Sequence, residues 1–169
     1  MERPNLQRMF LKLNAKHFSF EIPPIPVVWN RRLTTTAGIC RYCPTPSGGY
    51  APKEITLSEK LFRSLGYPLD KVERTLIHEM THAYLLHKYD EKGHTRRFQS
   101  VMTRITGENI NHRCHTYDTS AVRMKRSIEM HCTRCGLLGM RARMPRSHTS
   151  TSVYRHSGCR GTVTLWRMK

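Results

Sequence analysis

Apolar side chains recur at helical spacing in three stretches of the chain, which predicts an amphipathic helix in each. The stretches and their stripes are 4–16 with Leu6, Met9, Phe10 and Leu13, 70–87 with Val72, Leu76, Met80 and Ala83, and 95–106 with Phe98, Val101, Met102 and Ile105. Asp70, followed three residues later by Glu73, resembles a capping box and predicts that the second helix begins there.

Short apolar runs bounded by proline and glycine predict strands at 27–29, around Gly38 and at 52–57. Ser58 then leads into a short helix over 59–65. The charged, Ser/Thr-rich stretch 118–127 is typical of a linker, and short strands are expected around the cysteines that follow it. We therefore predict an α+β fold with a first subdomain over 1–118, a linker over 119–127 and a second subdomain over 128–169.

The charge of the chain is strongly positive and concentrated near its C-terminal end. Its 169 residues include 29 Lys and Arg against 12 Asp and Glu, a net charge of +17. Residues 119–169 hold 11 of these basic residues and a single acid, Glu129. Such an excess favours a polyanionic partner, of which nucleic acid is the usual one. No apolar run is long enough to span a membrane or to serve as a secretion signal, so we expect neither.

The central motif is His78-Glu79-Met80-Thr81-His82. Histidines four residues apart on a helix lie about 40° apart around its axis, so both imidazoles can meet one zinc ion. Glu79 can then accept a proton from the water that zinc activates and pass it to a leaving amine.

A catalytic zinc site needs a third protein ligand. His94 is the best candidate because Gly93 permits a tight turn just before the last predicted helix. His112 and His115 are the remaining candidates. His87 faces the wrong side of its helix, and Glu91 and Glu108 lie in a charged turn and at a helix end.

The late cysteines have the spacing of a second, structural zinc site. Cys132 and Cys135 form one C-x-x-C pair, and His156 with Cys159 stands where a zinc ribbon has its second pair. A Cys₃His set is a suitable ligand set for zinc, with His148 as the rival fourth ligand. Cys40, Cys43 and Cys114 are expected to be reduced thiols without metal.

With these motifs the chain resembles the SprT family of zinc metalloproteases. The matching residues are Thr36–Gly38, Ile55–Glu59, Thr75–Ala83, Gly93-His94 with Phe98, His115–Tyr117 and the late cysteine cluster. The resemblance implies a zincin-like helical metalloprotease subdomain with a small antiparallel sheet, followed by a zinc-ribbon-like β module. It implies His78, His82 and His94 as ligands of one catalytic zinc, beside one structural zinc, and Glu79 as the catalytic base.

The resemblance further implies DNA-dependent proteolysis of proteins covalently crosslinked to DNA, such as histones and topoisomerases, in the nucleus and on chromatin. We expect the protein to be a monomer. The alternatives are a catalytically silent, zinc-containing DNA-binding module and a zinc hydrolase of small molecules. An intact Glu79 disfavours the first, and the second predicts no effect of DNA on turnover.

Basic and aromatic side chains are interleaved around the second predicted metal site. Arginine can hold phosphates while aromatic rings stack on unpaired bases, so we expect binding of DNA that is single-stranded or locally opened. The predicted contact residues are Arg134, Arg141, Arg143, Arg146, Tyr154, Arg155 and Trp166. Trp166 could equally pack in the core of so small a module.

Overall fold

The computed structural model of the chain describes residues 2–34, 36–112, 117, 127–146, 148–149 and 152–168. The chain divides into two compact units, Met1–Arg123 and Met124–Lys169. The predicted linker lies outside the described residues except for Ser127, so the predicted subdomain bounds stay a prediction. Within the described ranges, no helix has both the length and the apolar character needed to cross a membrane.

The first unit contains every helix and strand that the hydrophobic pattern predicts. Where both ends of an element were predicted, the observed ends differ by no more than two residues, whereas the strand predicted around Gly38 extends to Pro44. Its elements are α1 (Leu6–Phe18), β1 (Val27–Asn30), β2 (Gly38–Pro44), β3 (Tyr50–Ser58), α2 (Glu59–Ser64), α3 (Leu69–Tyr89) and α4 (Arg96–Thr106). The predicted stripe of α3 is fully buried, since Val72, Leu76, Met80 and Ala83 are all 0% exposed. This burial orients α3, because a helix turns its apolar face to the core.

The predicted capping box at Asp70 is wrong. Helix α3 begins one residue earlier, at Leu69, with Pro68 as its N-cap and no side chain capping it. Asp70 instead lies in the first turn, where its negative charge interacts favourably with the helix dipole. The other three helices have regular side-chain N-caps: Asn5, Ser58 and Thr95 accept hydrogen bonds from the N–H groups of Arg8, Leu61 and Phe98, respectively.

The small sheet of the first unit is mixed, which corrects the expected antiparallel sheet. Its strand order is β1-β3-β2, with β1 parallel and β2 antiparallel to β3. Asn30 at the end of β1 and Gly38 at the start of β2 lie beside Ser58 and Leu57, at the same end of β3. The chain therefore reverses between β1 and β2 across the end of β3, so β3 must be parallel to one of them and antiparallel to the other.

The second unit is a four-stranded sheet with every pairing antiparallel and the order β5-β4-β7-β6. Its strands are β4 (Ile128–Cys132), β5 (Gly136–Arg141), β6 (Tyr154–Arg155) and β7 (Thr162–Arg167). Among the described residues of this unit, the buried apolar side chains are those of Ile128 and Cys132. A core this small needs a further source of stability.

Candidate metal centres

The first candidate metal centre joins α3 to His94, which lies two residues before α4. The ligand atoms of His78, His82 and His94 all lie within 4.8 Å of one another, and Nε2 of His78 is 3.0 Å from Nε2 of His94. Since Zn–N bonds are about 2.0–2.1 Å long, one ion can meet all three with small side-chain adjustments. Of the third-ligand candidates, the structure brings His94 to the pair.

The chemistry of these histidines fits a metal. Burial, together with the neighbouring His94, lowers the pKa of His82 to about 4. The imidazole of His82 is therefore neutral at physiological pH, which is the form that binds a metal.

Phe98 supports this centre from the first turn of α4. The centroid of its ring lies 4.9 Å from that of His78, 4.5 Å from that of His82 and 4.8 Å from that of His94. The ring is itself fully buried. One aromatic side chain thus fixes the orientation of all three imidazoles, although the sequence pattern identified it only as a core residue.

The other candidates for the third ligand are engaged elsewhere. His112 is buried, with its Nε2 3.1 Å from the carbonyl oxygen of Glu108. Glu108 pairs with Arg74, and Glu91 pairs with Arg97. His87 is exposed at the end of α3, whereas His115 and Cys114 lie outside the described residues.

Glu79 is buried between α3 and the edge strand β2. Its side chain is 5% exposed, and this burial raises the pKa of its carboxyl group to about 8, partly offset by a hydrogen bond from the backbone N–H of Cys40. A Cβ atom at position 38 would lie 2.8 Å from Cγ and 2.9 Å from Oε1 of Glu79, so the side chain occupies space that only a glycine leaves open. The sequence pattern identified Glu79 as the candidate base, but it did not indicate that Gly38 leaves room for the Glu79 side chain.

The thiol next to Glu79 stays protonated. Burial, with a further contribution from the charge of Glu79, raises the pKa of Cys40 to about 12. Cys43 is the other free thiol of this strand and donates toward the carbonyl oxygen of Ala51.

The second candidate metal centre lies in the four-stranded unit. The ligand atoms of Cys132, Cys135, His156 and Cys159 lie within 4.8 Å of one another. Cys159 is at its middle, with its Sγ 3.4 Å from Sγ of Cys132, 3.1 Å from Sγ of Cys135 and 3.2 Å from Nδ1 of His156. These sulfur–sulfur distances far exceed the roughly 2.05 Å of a disulfide and suit thiolates around one ion.

Local backbone geometry prepares these cysteines for a metal. The N–H of Arg134 donates to Sγ of Cys132, and this hydrogen bond is the main cause that lowers the pKa of Cys132 to about 7. The backbone at Gly161 passes close to the same sulfur. A Cβ atom at this position would lie 2.5 Å from it, so the site requires a glycine here. The rival ligand His148 instead stacks on Tyr154.

The predicted DNA-contacting residues lie on more than one surface of the second unit. All five arginines are exposed, and Arg134 also donates to the carbonyl oxygen of Cys159. Tyr154 pairs with Val163, three residues before Trp166 on the same strand, so the two aromatic rings project from opposite faces of the sheet. Trp166 is 62% exposed, which excludes the core-packing alternative.

Tyr154 lines a cavity of about 240 Å³ on its face of the sheet. The lining combines apolar side chains, Met130, Leu138 and Leu165 among them, with Arg141 and Arg155. On the opposite face, Glu129 pairs with His131 at 2.8 Å, in register with Trp166 and Thr164. Arg155 borders the cavity, but its pairing with Thr162 and the hydrogen bond from its Nη1 to Oγ1 of Thr162 assign it to the face of Trp166.

Comparison with known proteins agrees with this architecture. The sequence model of the SprT-like family matches residues 6–119. Over 113 residues, the chain is 39% identical to the DNA-dependent metalloprotease SPRTN of Rattus norvegicus and 38% identical to that of Homo sapiens. It is 37% identical to the DNA-dependent metalloprotease dvc-1 of Caenorhabditis elegans over the same length.

These alignments cover 63% of this chain but only 22% of each SPRTN protein and 30% of dvc-1. The chain thus spans less than a third of the length of these relatives. The names of these relatives imply a metal, and the described residues include two side-chain clusters that could hold one. Because the family model covers most of the chain, the protein belongs to the SprT-like family.

Proposed function

We propose that the protein is a zinc endopeptidase that depends on DNA and degrades proteins covalently crosslinked to DNA. The observation that carries this proposal is the buried Glu79 beside the cluster of His78, His82 and His94. Membership of the SprT-like family supports it, as does the similarity to relatives named DNA-dependent metalloproteases.

The proposal assigns one catalytic zinc to the three histidines and one structural zinc to Cys132, Cys135, His156 and Cys159. The first subdomain, 1–118, would be zincin-like, since its long helix carries two ligands and the base. The second, 128–169, would be a zinc-ribbon-like module, with 119–127 as the linker. The donor sets support this division, because catalytic sites keep three ligands and an open position whereas structural sites use four.

Peptide hydrolysis at this site would rest on Glu79. A zinc ion on the three histidines would supply Lewis-acid chemistry, activating water and polarising the substrate carbonyl. Glu79 takes up a proton from the attacking water on its carboxylate and delivers it to the leaving amine. The Cys40 N–H holds the carboxylate in place, and burial raises the pKa of this carboxyl group, which makes its carboxylate a stronger base than an exposed one.

DNA would act on this enzyme by bringing it to its substrates. The exposed arginines Arg134, Arg141, Arg143, Arg146 and Arg155 suit phosphates, and the rings of Tyr154 and Trp166 suit unpaired bases of single-stranded or locally opened DNA. Proteins fixed to the same DNA, such as histones and topoisomerases, would then reach a high effective concentration at Glu79. A monomer working on chromatin in the nucleus fits this mode of action.

The proposal is tested by cleavage of a basic DNA-binding protein with and without single-stranded DNA. We expect DNA to raise the cleavage rate about 100-fold or more, as expected when an encounter becomes intramolecular. The Glu79→Gln variant serves as the inactive control. Equal rates with and without DNA would contradict the proposal and favour a hydrolase of small molecules, and tight DNA binding without cleavage would favour a silent binding module.

Gly38→Ala is expected to reduce cleavage about 100-fold while zinc content stays unchanged. The added methyl group would collide with Glu79 and Thr75, and a displacement of the base by about 1 Å has an effect of this size. The measurement is the cleavage rate with metal analysis of the same sample. Ile39→Val, the next residue of β2, is the control and should retain full activity. Full activity of Gly38→Ala would show that the position of Glu79 is not set by this contact.

A further inference from the structure

A buried carboxylate in the first unit is surrounded by three arginines. Glu59, the first residue of α2, is 2% exposed. Its carboxylate lies 3.1 Å from Nε of Arg31, 2.6 Å from Nη2 of Arg63 and 3.6 Å from Nη1 of Arg3. Burial alone would raise the pKa of Glu59, but the hydrogen bond from Arg31 and the three positive charges outweigh burial and lower it. Glu59 is therefore ionised, and the four groups together carry a charge of +2.

The three arginine side chains remain largely exposed to solvent although each contacts Glu59. Their side chains are 51%, 79% and 66% exposed, for Arg3, Arg31 and Arg63 respectively. Arg31 contacts Glu59 through Nε, and no other described residue is hydrogen-bonded to its two Nη groups, which leaves them for a second, bidentate contact. A planar fork of this kind matches the oxygens of a phosphate group.

The scaffold below these arginines is rigid. Arg31 follows β1 directly, Arg63 lies one turn into α2, and the segment with Arg3 is held by a hydrogen bond from Nε1 of Trp29 to the carbonyl oxygen of Pro4. The Trp29 ring packs edge-on against Phe62 and Tyr67. The arginines are thus ordered before any ligand arrives, which reduces the entropy lost on binding.

The neighbouring exposed residues extend the positive charge. Arg8, Arg32 and Lys60 flank the cluster in sequence and are exposed, whereas the acids in these three segments are Glu2 and the buried Glu59. Because all three guanidinium groups converge on one carboxylate, they lie within the span of a few phosphates of a strand that carries one charge per about 3.4 Å.

We infer that Arg3, Arg31 and Arg63, held in place by Glu59, form a phosphate-binding surface on the first unit that contacts the nucleic-acid backbone. This inference rests on the proposed DNA dependence and adds a contact to it outside the second unit. The surface is independent of base sequence, since its donors suit phosphate oxygens.

The test is the salt dependence of binding to a labelled single-stranded oligonucleotide of mixed sequence, measured with the full chain. Arg31→Ala is expected to weaken binding several-fold and to reduce the slope of log affinity against log salt by about 1. Arg3 and Arg63 still neutralise Glu59 in this variant. Lys60→Ala, which leaves the buried carboxylate untouched, is expected to act in the same direction.

The matched control is Arg104→Ala, an equal loss of charge at an exposed residue of α4 outside the cluster. Thermal unfolding of each variant identifies a loss of folding. If the wild type binds DNA and both Arg31→Ala and Lys60→Ala retain the slope of Arg104→Ala, the inference is overturned while the proposed function stands. If the wild type binds no DNA, the proposed function fails as well.

Discussion

Glu79→Gln is expected to reduce cleavage by about two to four orders of magnitude, the usual contribution of a general base. Glutamine has nearly the same shape, and its Oε1 can still accept the hydrogen bond from the Cys40 N–H. It cannot take up a proton from the attacking water. We therefore expect the loss in the rate of the chemical step, with zinc content and DNA affinity unchanged.

The folded state should tolerate this substitution well. Burying an amide costs less free energy than burying a carboxylate, and no cationic side chain among the described residues pairs with Glu79, so the thermal stability of Glu79→Gln should equal or exceed that of the wild type. Glu73→Gln is the matched control, because it makes the same chemical change at a less buried position of the same helix. Cleavage by Glu79→Gln at the wild-type rate would show that the proposed mechanism is wrong.

Much of the first unit could be predicted from the sequence because its signals are local. The apolar stripe on α3 indicated which face of the helix is buried. It therefore also indicated where His78 and His82 lie around the helix axis. Gly93 indicated a turn just before the last predicted helix, and this turn brings His94 within reach of that pair. Each of these features depends on residues within about one or two helical turns.

The remaining features depend on contacts between distant parts of the chain. Gly38 lies 41 positions before Glu79, and nothing near either residue indicates their contact. Glu59 has the sequence context of an exposed acid in a first helical turn, yet arginines from three separate segments enclose it. Strand β1 likewise pairs in parallel because β3 lies between β1 and β2 in the sheet. The pattern of strands along the sequence does not indicate this order.

The prediction of a nucleic-acid surface was limited because the sequence does not show how the strands of the second unit pair. Alternation within β7 alone does not show which residue of β6 shares a face with it. The pairing of Tyr154 with Val163 settles this and separates Tyr154 from Trp166. The predicted arginines and Trp166 are exposed and Tyr154 is half-buried, but the sequence analysis grouped into one surface residues that the fold divides between two faces.

Cys159→Ser is expected to remove one zinc ion per chain and to unfold the second unit while the first unit stays folded. Cys159 is the ligand that contacts the other three, so its loss opens the whole cluster. The described core of this unit, Ile128 and Cys132, is too small to replace the metal. Structural zinc contributes on the order of 10–16 kcal/mol in small zinc domains, far more than two buried side chains can supply.

Zinc analysis after desalting, together with limited proteolysis and mass mapping, measures both effects. We expect one zinc ion fewer than in the wild type, with rapid cleavage confined to the region after residue 127. Cys43→Ser, at a partly buried free thiol of β2, is the matched control and should retain all the metal. Because the histidine cluster lies in the other unit, the ion that Cys159→Ser retains should be lost in His94→Ala. Cys159→Ser with unchanged zinc content and protease resistance would show that this cluster is not a structural metal site.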